Sequence, residues 1–400
     1  MSEVVILGAK RTPFGRFGGA LTPLTIPELA SHAAKAALAE ANVAPDRIDE
    51  IVLGVNLPGS DRSIARQAAL QAGIPDDRTA YTVDRACCSS LTAISIGARA
   101  IMVGDAEIAL TGGGENMSRV PYFLEDMRWG HRLGHVQLTD QLVISCPYTG
   151  VPRAVQASDE ALEFEVDREQ QDRWALRSQK YAAAAAEAGR FDEQIAPIEV
   201  PHRGGAIRVE VDENLRPDVT LEGLSALKTV YGSRTVTAGN APGLSTGSSQ
   251  LILADREVAE RDGLRPIATL VATARASGHP AKIASIPAVA IRRVLDRGGV
   301  DLDQIDLIEI NEAFAAVPLV TTLVLTDRDV AAAEALREKV NVNGGSIAIG
   351  HPTGATAGRM TMNLIHELRR RGGGLGVAAL CGGIGEAEAA LVRVDGEPSR

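Results

Sequence analysis

The sequence predicts an α/β protein built from two copies of one α/β half, with a loop domain inserted between them. Three observations predict it. The windows VAPDRIDEIVLG (43–54) and VDLDQIDLIEIN (300–311) share Val, Asp, Ile, Asp and Ile in register at a fixed offset, 300 minus 43 or 257. ALTGG (109–113) and ALCGG (379–383) form a second pair, offset by 379 minus 109 or 270. The stretch between the copies differs in character: RVPYFLEDMRWGHRLGHVQL (119–138) is rich in aromatic, basic and turn residues, and a charged helical segment and a Gly/Asn/Ser-rich segment follow it. The predicted boundaries are 1–118 plus 251–272 for the first half, 119–250 for the loop domain and 273–400 for the second half.

In chain order, VVILG opens the first half as a strand, and apolar spacing of three and four predicts a helix over 28–41. The 43–54 window ends in a short apolar run of strand length, TAYTV (79–83) reads as another strand, and a helix follows from Ser89. In the insertion, Asp167 opens a charged helix that Gly189 stops. QLILA (250–254) returns the chain to the first half as a strand. The second half repeats the order, with a helix over 286–297, the 300–311 window, a Gly-rich junction at 344–359, a helix in TMNLIHELRRRG and the ALCGG strand. Helices alternating with short buried strands predict parallel sheets covered on both faces.

Composition excludes several function classes. At 400 residues, 45% hydrophobic and 23% charged, the chain has the make-up of a folded globular protein rather than a disordered one. A formal charge of -10 argues against a nucleic-acid partner, since counterion release needs clustered Lys and Arg. No run approaches about 18 consecutive apolar residues, so no membrane span is expected. The N-terminus lacks the pattern of a signal peptide, and the cytoplasm is the expected compartment. Cys87, Cys88, Cys146 and Cys381 are too few for a disulfide scaffold and contain no C-x-x-C pair, so neither disulfides nor a metal site are expected. Neither G-x-G-x-x-G nor the P-loop pattern occurs, which sets nucleotide-cofactor and P-loop functions aside.

The duplication points to the chemistry. In VDRACCSSLTA (83–93), Cys87 stands at a strand-to-helix junction, with its sulfur near a helix N-terminus. The equivalent junction in the second half carries His351 in IGHPTGA. Equivalent junctions of two halves face a shared interface, so a Cys and a His are predicted to meet there. A helix N-terminus and a neighbouring imidazolium lower a thiol pKa, and a His facing a Cys activates it for covalent catalysis. The second half also gains two groups over its copy, since Cys381 stands where the first half has Thr111, and Asn311 where it has Gly54. Taken singly, each has an ordinary role, as a buried apolar thiol, a helix cap or a rigid Gly-Pro turn. Cys88 and Cys146 have no partner motif and read as structural, while His32 and His366 read as surface or core residues on helices.

Assembled, these residues resemble the thiolase family, the acyltransferases that make or cleave 3-ketoacyl-CoA. Four blocks carry the resemblance in order: DRACCSS (84–90), NEAFA (311–315), NGGSIAIGHPTGA (343–355) and ALCGGIG (379–385). It runs from KRTPFG (10–15) almost to the end of the chain. The resemblance implies a layered αβαβα core and a two-step reaction. Cys87, activated by His351, would attack a thioester and hold the acyl group. Cys381 would act as base or acid at the α-carbon of acetyl-CoA. His351 with a water on Asn311 would form one oxyanion hole, and the amides of Cys87 and Gly383 another. No metal or organic cofactor is implied, coenzyme A being a cosubstrate, and a homodimer or homotetramer is expected. For coenzyme A, RPDVT (216–220) and VTAGN (236–240) imply contacts from Arg216, Leu227, Tyr231 and Ala238.

Departures from the family pattern bear on substrate choice. Pro242 replaces a common Ser in the pantetheine region, and CPYTGVPR (146–153) contains no His where short-chain members carry a His-Met pair. Tyr122, Phe123, Trp129 and Tyr148 are candidates for a different acyl pocket or for ordinary loop packing. The nucleophile block has Asp84, Cys88 and Ser90 where Asn and Gly are common. Two other readings stand beside the thiolase one: a decarboxylating condensing enzyme, which pairs its Cys with two His, and a non-catalytic acyl-CoA-binding protein of the same fold.

Overall fold

The computed structural model describes residues 3–143 and 145–396. The first half contains β1 (Val4–Arg11), α1 (Ile26–Ala41), β2 (Glu50–Gly54), β3 (Thr79–Val83), α2 (Ser89–Val103) and β4 (Ile108–Asn116). Thr25 and Glu28 form a capping box that starts α1, and Asn42, left-handed at φ 53, ends it. The insertion contributes α3 (Arg153–Glu163) and α4 (Arg168–Glu187), the latter opened by an Asp167–Gln170 capping box. Next comes β5 (Ser245–Asp255), which pairs with β4 from Thr246↔Asn116 to Ala254↔Ile108. The second half contains β6 (Ala268–Ser277), α5 (Ile286–Gly298), β7 (Leu307–Ile310), α6 (Ala316–Leu325), α7 (Thr356–Arg370), β8 (Gly374–Cys381) and β9 (Glu386–Val394).

The strand order β7-β8-β9-β6-β1-β5-β4-β2-β3 displays the duplication. Reading outward from the β1–β6 junction, one wing runs β1-β5-β4-β2-β3 and the other β6-β9-β8-β7, and a parallel bridge of Ile308 to Val340 stands where the counterpart of β3 belongs. Both repeated windows therefore lead into equivalent strands, β2 and β7, and ALTGG and ALCGG lie on β4 and β8. The wings join through an antiparallel pairing, Val4↔Leu270 to Ile6↔Ala268.

The expectation of parallel sheets is corrected. Among the named strands, only β2–β3, β2–β4 and β7–β8 are parallel, and β1–β5, β4–β5, β8–β9, β6–β9 and β1–β6 are antiparallel. For β8–β9 the cause is connection length: the turn between Cys381 and Glu386 is too short for a crossover, so β9 must run back along β8.

Three apolar cores separate the layers. α1 covers the outer face of the first wing, where Ala30, Ala34 and Leu38 meet Ile51, Leu53 and Ile252. α5 and α6 cover the second, where Ile291, Val294 and Val320 meet Ile308, Val377 and Leu391. Between the wings lie α2 and α7, with Leu91, Ile94, Met360 and Ile365 packed against Leu251, Leu253, Leu380 and Val392. Each such side chain contributes about 1.5–3 kcal/mol on burial. This position also explains a departure in composition: Ala86–Val103 is long and apolar enough to cross a membrane, yet 67% of it is buried inside the protein, as a middle-layer helix must be.

Candidate active site

Close glycine contacts join the halves at the site. A Cβ on Gly113 of β4 would stand 2.1 Å from the Gly354 carbonyl, and one on Gly354 would stand 2.4 Å from the Gly114 carbonyl. Side chains there would force apart the ends of the two helices that carry the catalytic candidates. Glu115, fully buried, seals the seam by accepting from the amides of Asn56, Leu57 and Gly354 and from the Thr353 hydroxyl.

Cys87 sits at a braced corner. Ala86 before it is left-handed at φ 49, which costs on the order of 1 kcal/mol for a residue with a side chain. The Asp84 carboxylate accepts the Ala86 N–H at 2.9 Å, and Ser89 Oγ accepts the Arg85 N–H at 2.9 Å and donates to the Ala86 carbonyl at 2.6 Å. Asp84 in place of Asn thus leaves this turn intact. The corner starts α2 directly behind the sulfur.

His351 Nε2 lies 3.2 Å from Cys87 Sγ. Its other nitrogen, Nδ1, is 2.7 Å from Thr356 Oγ1, and that hydroxyl donates to the Pro352 carbonyl at 2.9 Å. The Thr356 proton is thereby spent, so Nδ1 carries the hydrogen and donates it, leaving Nε2 as the bare acceptor facing the thiol. Asn311 Nδ2 is 3.4 Å from the same Nε2, and its Oδ1 accepts from Ser346 Oγ at 2.7 Å, which turns the amide NH2 toward the site. Arg359, paired with Glu309 at 3.0 Å, donates to Ser346 Oγ at 3.1 Å from below.

Electrostatics correct one sequence expectation. The predicted ionised thiolate is not the resting state: burial, then the nearby Cys381, pushes the Cys87 thiol up from its ordinary value. Burial, then Arg359, holds His351 down to about 3. Cys87 is half-buried as a residue, open enough for a substrate, yet its sulfur is deep enough for desolvation to outweigh the helix N-terminus. A neutral thiol therefore faces a neutral imidazole.

Cys381 ends β8, buried and close enough to Cys87 for the two sulfurs to act on each other, and burial raises it to about 11 against the pull of its own amide and that of Gly383. Gly383 adopts φ +65 in the turn to β9, and a Cβ on Gly382 would stand 3.0 Å from Cys88 Sγ, so this turn abuts the nucleophile corner. Cys88 is buried, with its thiol directed at the Leu380 carbonyl, in keeping with a packing role. Cys146 is buried, in keeping with the structural reading; burial opposes its ionisation, but the Thr149 hydroxyl, the Thr149 and Tyr148 amides and Arg153 bring it down to about 7.

The four coenzyme A candidates, Arg216, Leu227, Tyr231 and Ala238, are all exposed. Leu227 packs over Gly239, next to Ala238, and a Thr229–Thr237 bridge closes the loop bearing Tyr231, which is left-handed at φ 52. Arg216 follows Asn214, whose amide NH2 donates to the Ile349 carbonyl at 3.3 Å near His351. His366 is buried on α7 and meets Glu193, and His32 on α1 meets the Pro197 carbonyl, and neither is hydrogen-bonded to the Cys87–His351 pair. Sequence reading missed Thr356, Ser346, Glu115, Glu312 and Arg153. Glu312 is buried and accepts from Trp174, Ser178, Asn341 and the Ile347 amide, tying the loop domain to the His351 junction. The signal was present for Thr356, five residues after His351, and for Ser346 within NGGSIAIG.

Comparison with known proteins gives matches over almost the whole chain. The family models for the thiolase N-terminal domain and the thiolase C-terminal domain match residues 4–257 and 264–394. An acetyl-CoA acetyltransferase of Cupriavidus necator is 41% identical over 395 residues, covering 97% of this chain and 98% of that protein. The human mitochondrial 3-ketoacyl-CoA thiolase is 39% identical over 396 residues, 98% of each. Among solved structures, the Bacillus anthracis acetyl-CoA acetyltransferase superposes with a TM-score of 0.94 at 41% identity, over 98% of this chain and 99% of that one. The human mitochondrial 3-ketoacyl-CoA thiolase in complex with CoA gives 0.92 at 38%, over 98% of each.

Proposed function

The chain belongs to the thiolase family and is an acyltransferase of it, and we propose that it moves acyl groups between coenzyme A thioesters through an acyl-enzyme on Cys87. The observation that carries the proposal is the 3.2 Å contact between Cys87 Sγ and an imidazole nitrogen freed of its proton by Thr356. As a carbonyl arrives, Nε2 takes the thiol proton while sulfur attacks, so the charged pair forms only when the carbonyl shares the charge. The developing oxyanion is met by the amides of Cys87 and Gly383 in one step and by His351 with the Asn311 amide in the other. Cys381, kept protonated by burial, returns a proton to the acetyl enolate during cleavage and, as thiolate, removes one during condensation.

This reading asks for no metal or resident organic cofactor, because every proton transfer and carbonyl contact is assigned to a protein group; coenzyme A enters as a cosubstrate. Arg216, Leu227, Tyr231 and Ala238 are proposed to hold it, their exposure on one loop cluster supporting the assignment. Both working sulfurs must stay free, as all four cysteines are, which supports a reducing compartment such as the cytoplasm. A dimer or tetramer is part of the proposal, supported by the open outer edge of β3, a place for a second copy. The decarboxylating reading is disfavoured because a sulfur, Cys381, stands where such an enzyme needs a second imidazole.

The test is acetyl transfer from acetyl-CoA, followed by mass spectrometry. Cys87→Ala should take up no acetyl group, with activity falling on the order of 10^6-fold. Cys381→Ala should acylate at Cys87 yet fail to form or cleave the carbon–carbon bond. An acetyl group on Cys88 in the wild type, or no thiolysis of any 3-ketoacyl-CoA, would overturn the assignment.

A further inference from the structure

We propose that Arg153 receives a terminal carboxylate of the acyl chain, so that the preferred substrate is a 3-oxoacyl-CoA whose far end is a carboxylate. The proposal rests on the thiolase reading and names the substrate class within it. Arg153 follows Pro152 as the first residue of α3, and its guanidinium leans over the turn after Cys381. A Cβ built on Gly383 would stand 3.2 Å from Nη2 and 3.5 Å from the guanidinium carbon. Its charge reaches the sulfurs of Cys87, Cys381 and Cys146. The side chain is held in place: Nη1 donates to Gln156 Oε1 at 3.1 Å, and Gln156, itself buried, donates to Thr149 Oγ1 at 3.0 Å.

This guanidinium has no acidic partner among the described residues. Three other arginines with buried or mostly buried side chains are paired, Arg11 with Asp212 at 2.7 Å, Arg85 with Glu388 at 2.7 Å and Arg359 with Glu309 at 3.0 Å, whereas Arg177 and Arg337 donate to backbone carbonyls at 2.8–3.1 Å. Of the carboxylates on the same helix, Asp159 pairs with Arg234 at 3.0 Å, Glu163 pairs with Lys282, and Glu160 is spent elsewhere. It accepts the amides of Ile283, Ala284 and Ser285 at 2.8, 2.7 and 3.1 Å, at the start of α5. Arg153 is therefore a fixed, uncompensated cation beside the reacting sulfurs.

A methyl-ended acyl chain would strip water from this group and offer nothing in return, whereas a carboxylate offers two parallel hydrogen bonds to the planar fork. Coenzyme A does not supply that anion. Its phosphates stand a whole pantetheine arm away from the thioester, so an anion near the sulfurs comes with the acyl part.

The reaction balances. Cys87 sulfur adds to the C3 carbonyl of the 3-oxoacyl-CoA, its proton passing to His351. The C2–C3 bond breaks, its electron pair leaves as the acetyl-CoA enolate, and Cys381 protonates C2. The thiol of free coenzyme A, its proton passing to the Cys381 thiolate, then attacks the acyl-enzyme, and the proton held on His351 returns to the departing Cys87 sulfur. This yields an ω-carboxyacyl-CoA two carbons shorter and regenerates the Cys87 thiol.

The experiment compares kcat/KM for thiolysis of 3-oxoacyl-CoAs of matched length ending in carboxylate or methyl, over several lengths, in wild type, Arg153→Met and Arg153→Lys. Wild type should favour the carboxylate series. In Arg153→Met the carboxylate-to-methyl ratio should fall about 100-fold, the scale of unpairing a buried charge, with Arg153→Lys between. The wild-type comparison does not depend on any variant folding. Thiolysis of both series without preference, or an equal loss on both in Arg153→Met, overturns the proposal and leaves Arg153 serving the sulfurs alone. No thiolysis of either series by wild type would instead be a failure of the thiolase reading itself.

Discussion

At the ends of β2 and β7 the two halves have the same backbone and opposite contents. A Cβ on Gly54 would stand 2.3–2.5 Å from backbone atoms of Ser89 and Ser90, so the first half presses the start of its middle-layer helix onto the strand. In the second half the same point carries Asn311, hydrogen-bonded to Ser346 and His351. The difference lies in the junctions. Five residues, 84–88, separate β3 from α2, while fifteen, 341–355, separate the Val340 bridge from α7. The short junction makes a strained, rigid corner that presents one sulfur. The long one folds the Ser346–Ile349 turn of helix and the His351 loop into the space gained, which houses a base and an amide. Duplication followed by lengthening of one junction thus yields a nucleophile and its activating groups from one scaffold.

The sharpest way to break that comparison is to make the second half like the first. Asn311→Ala removes the group that Gly54 lacks, and with it one donor to the oxyanion or its water. A loss of about 10^2–10^3 in kcat is expected. Ser346→Ala, which frees Asn311 to turn, should give a smaller loss with the same substrate profile. An Asn311→Ala enzyme within a few-fold of wild type in steady-state thiolysis would remove Asn311 from the reaction.

The reverse exchange tests the first half. Gly54→Ala drives a methyl into the Ser89–Ser90 backbone, and overpacking of this kind costs about 1–3 kcal/mol. The change should lower the urea midpoint and, by moving the Cys87 corner, slow acylation. An unshifted midpoint would mean that the close approach is softer than the distances say.

Much of this was legible in the residues, for reasons that can be stated. The repeated windows report strands because burial on both faces demands apolar runs, and β2 and β7 are where those runs fall. Cys87 and His351 were paired by their equal places in the copies, without any distance. What could not be read depends on contacts distant in sequence. Strand direction in β5 and β9 follows from how connections return, not from composition. Thr356 and Ser346 stand close to His351 in sequence, but which atoms they occupy is seen only in the fold. The ionisation of Cys87 was misjudged because its helix N-terminus is visible in sequence whereas the desolvation opposing it is not. Arg153 passed unnoticed because its significance is the absence of a partner.

The smallest effect expected concerns pH, and it discriminates between the two pictures of activation. A preformed thiolate–imidazolium pair would need His351 protonated at neutral pH, with acylation dependent on two groups titrating on either side. Here His351 is held to about 3, below its ordinary 6.5, by burial and then by Arg359, and Cys87 is pushed up. The base is then in its working, unprotonated form throughout the range from about pH 5 to pH 8, so kcat/KM for acetyl transfer to Cys87 should be level there. The sign for stability follows from the same depression. The neutral imidazole's contribution is fully present above 6.5 and is lost as pH falls toward about 3, because the unfolded chain takes up that proton first. His351→Gln has no such proton to take up, so its stability should decline less than that of the wild type between pH 6.5 and pH 4. An acylation profile with a step near 6.5 that vanishes in His351→Gln would show that the imidazole titrates freely, and the neutral-pair account would have to be given up.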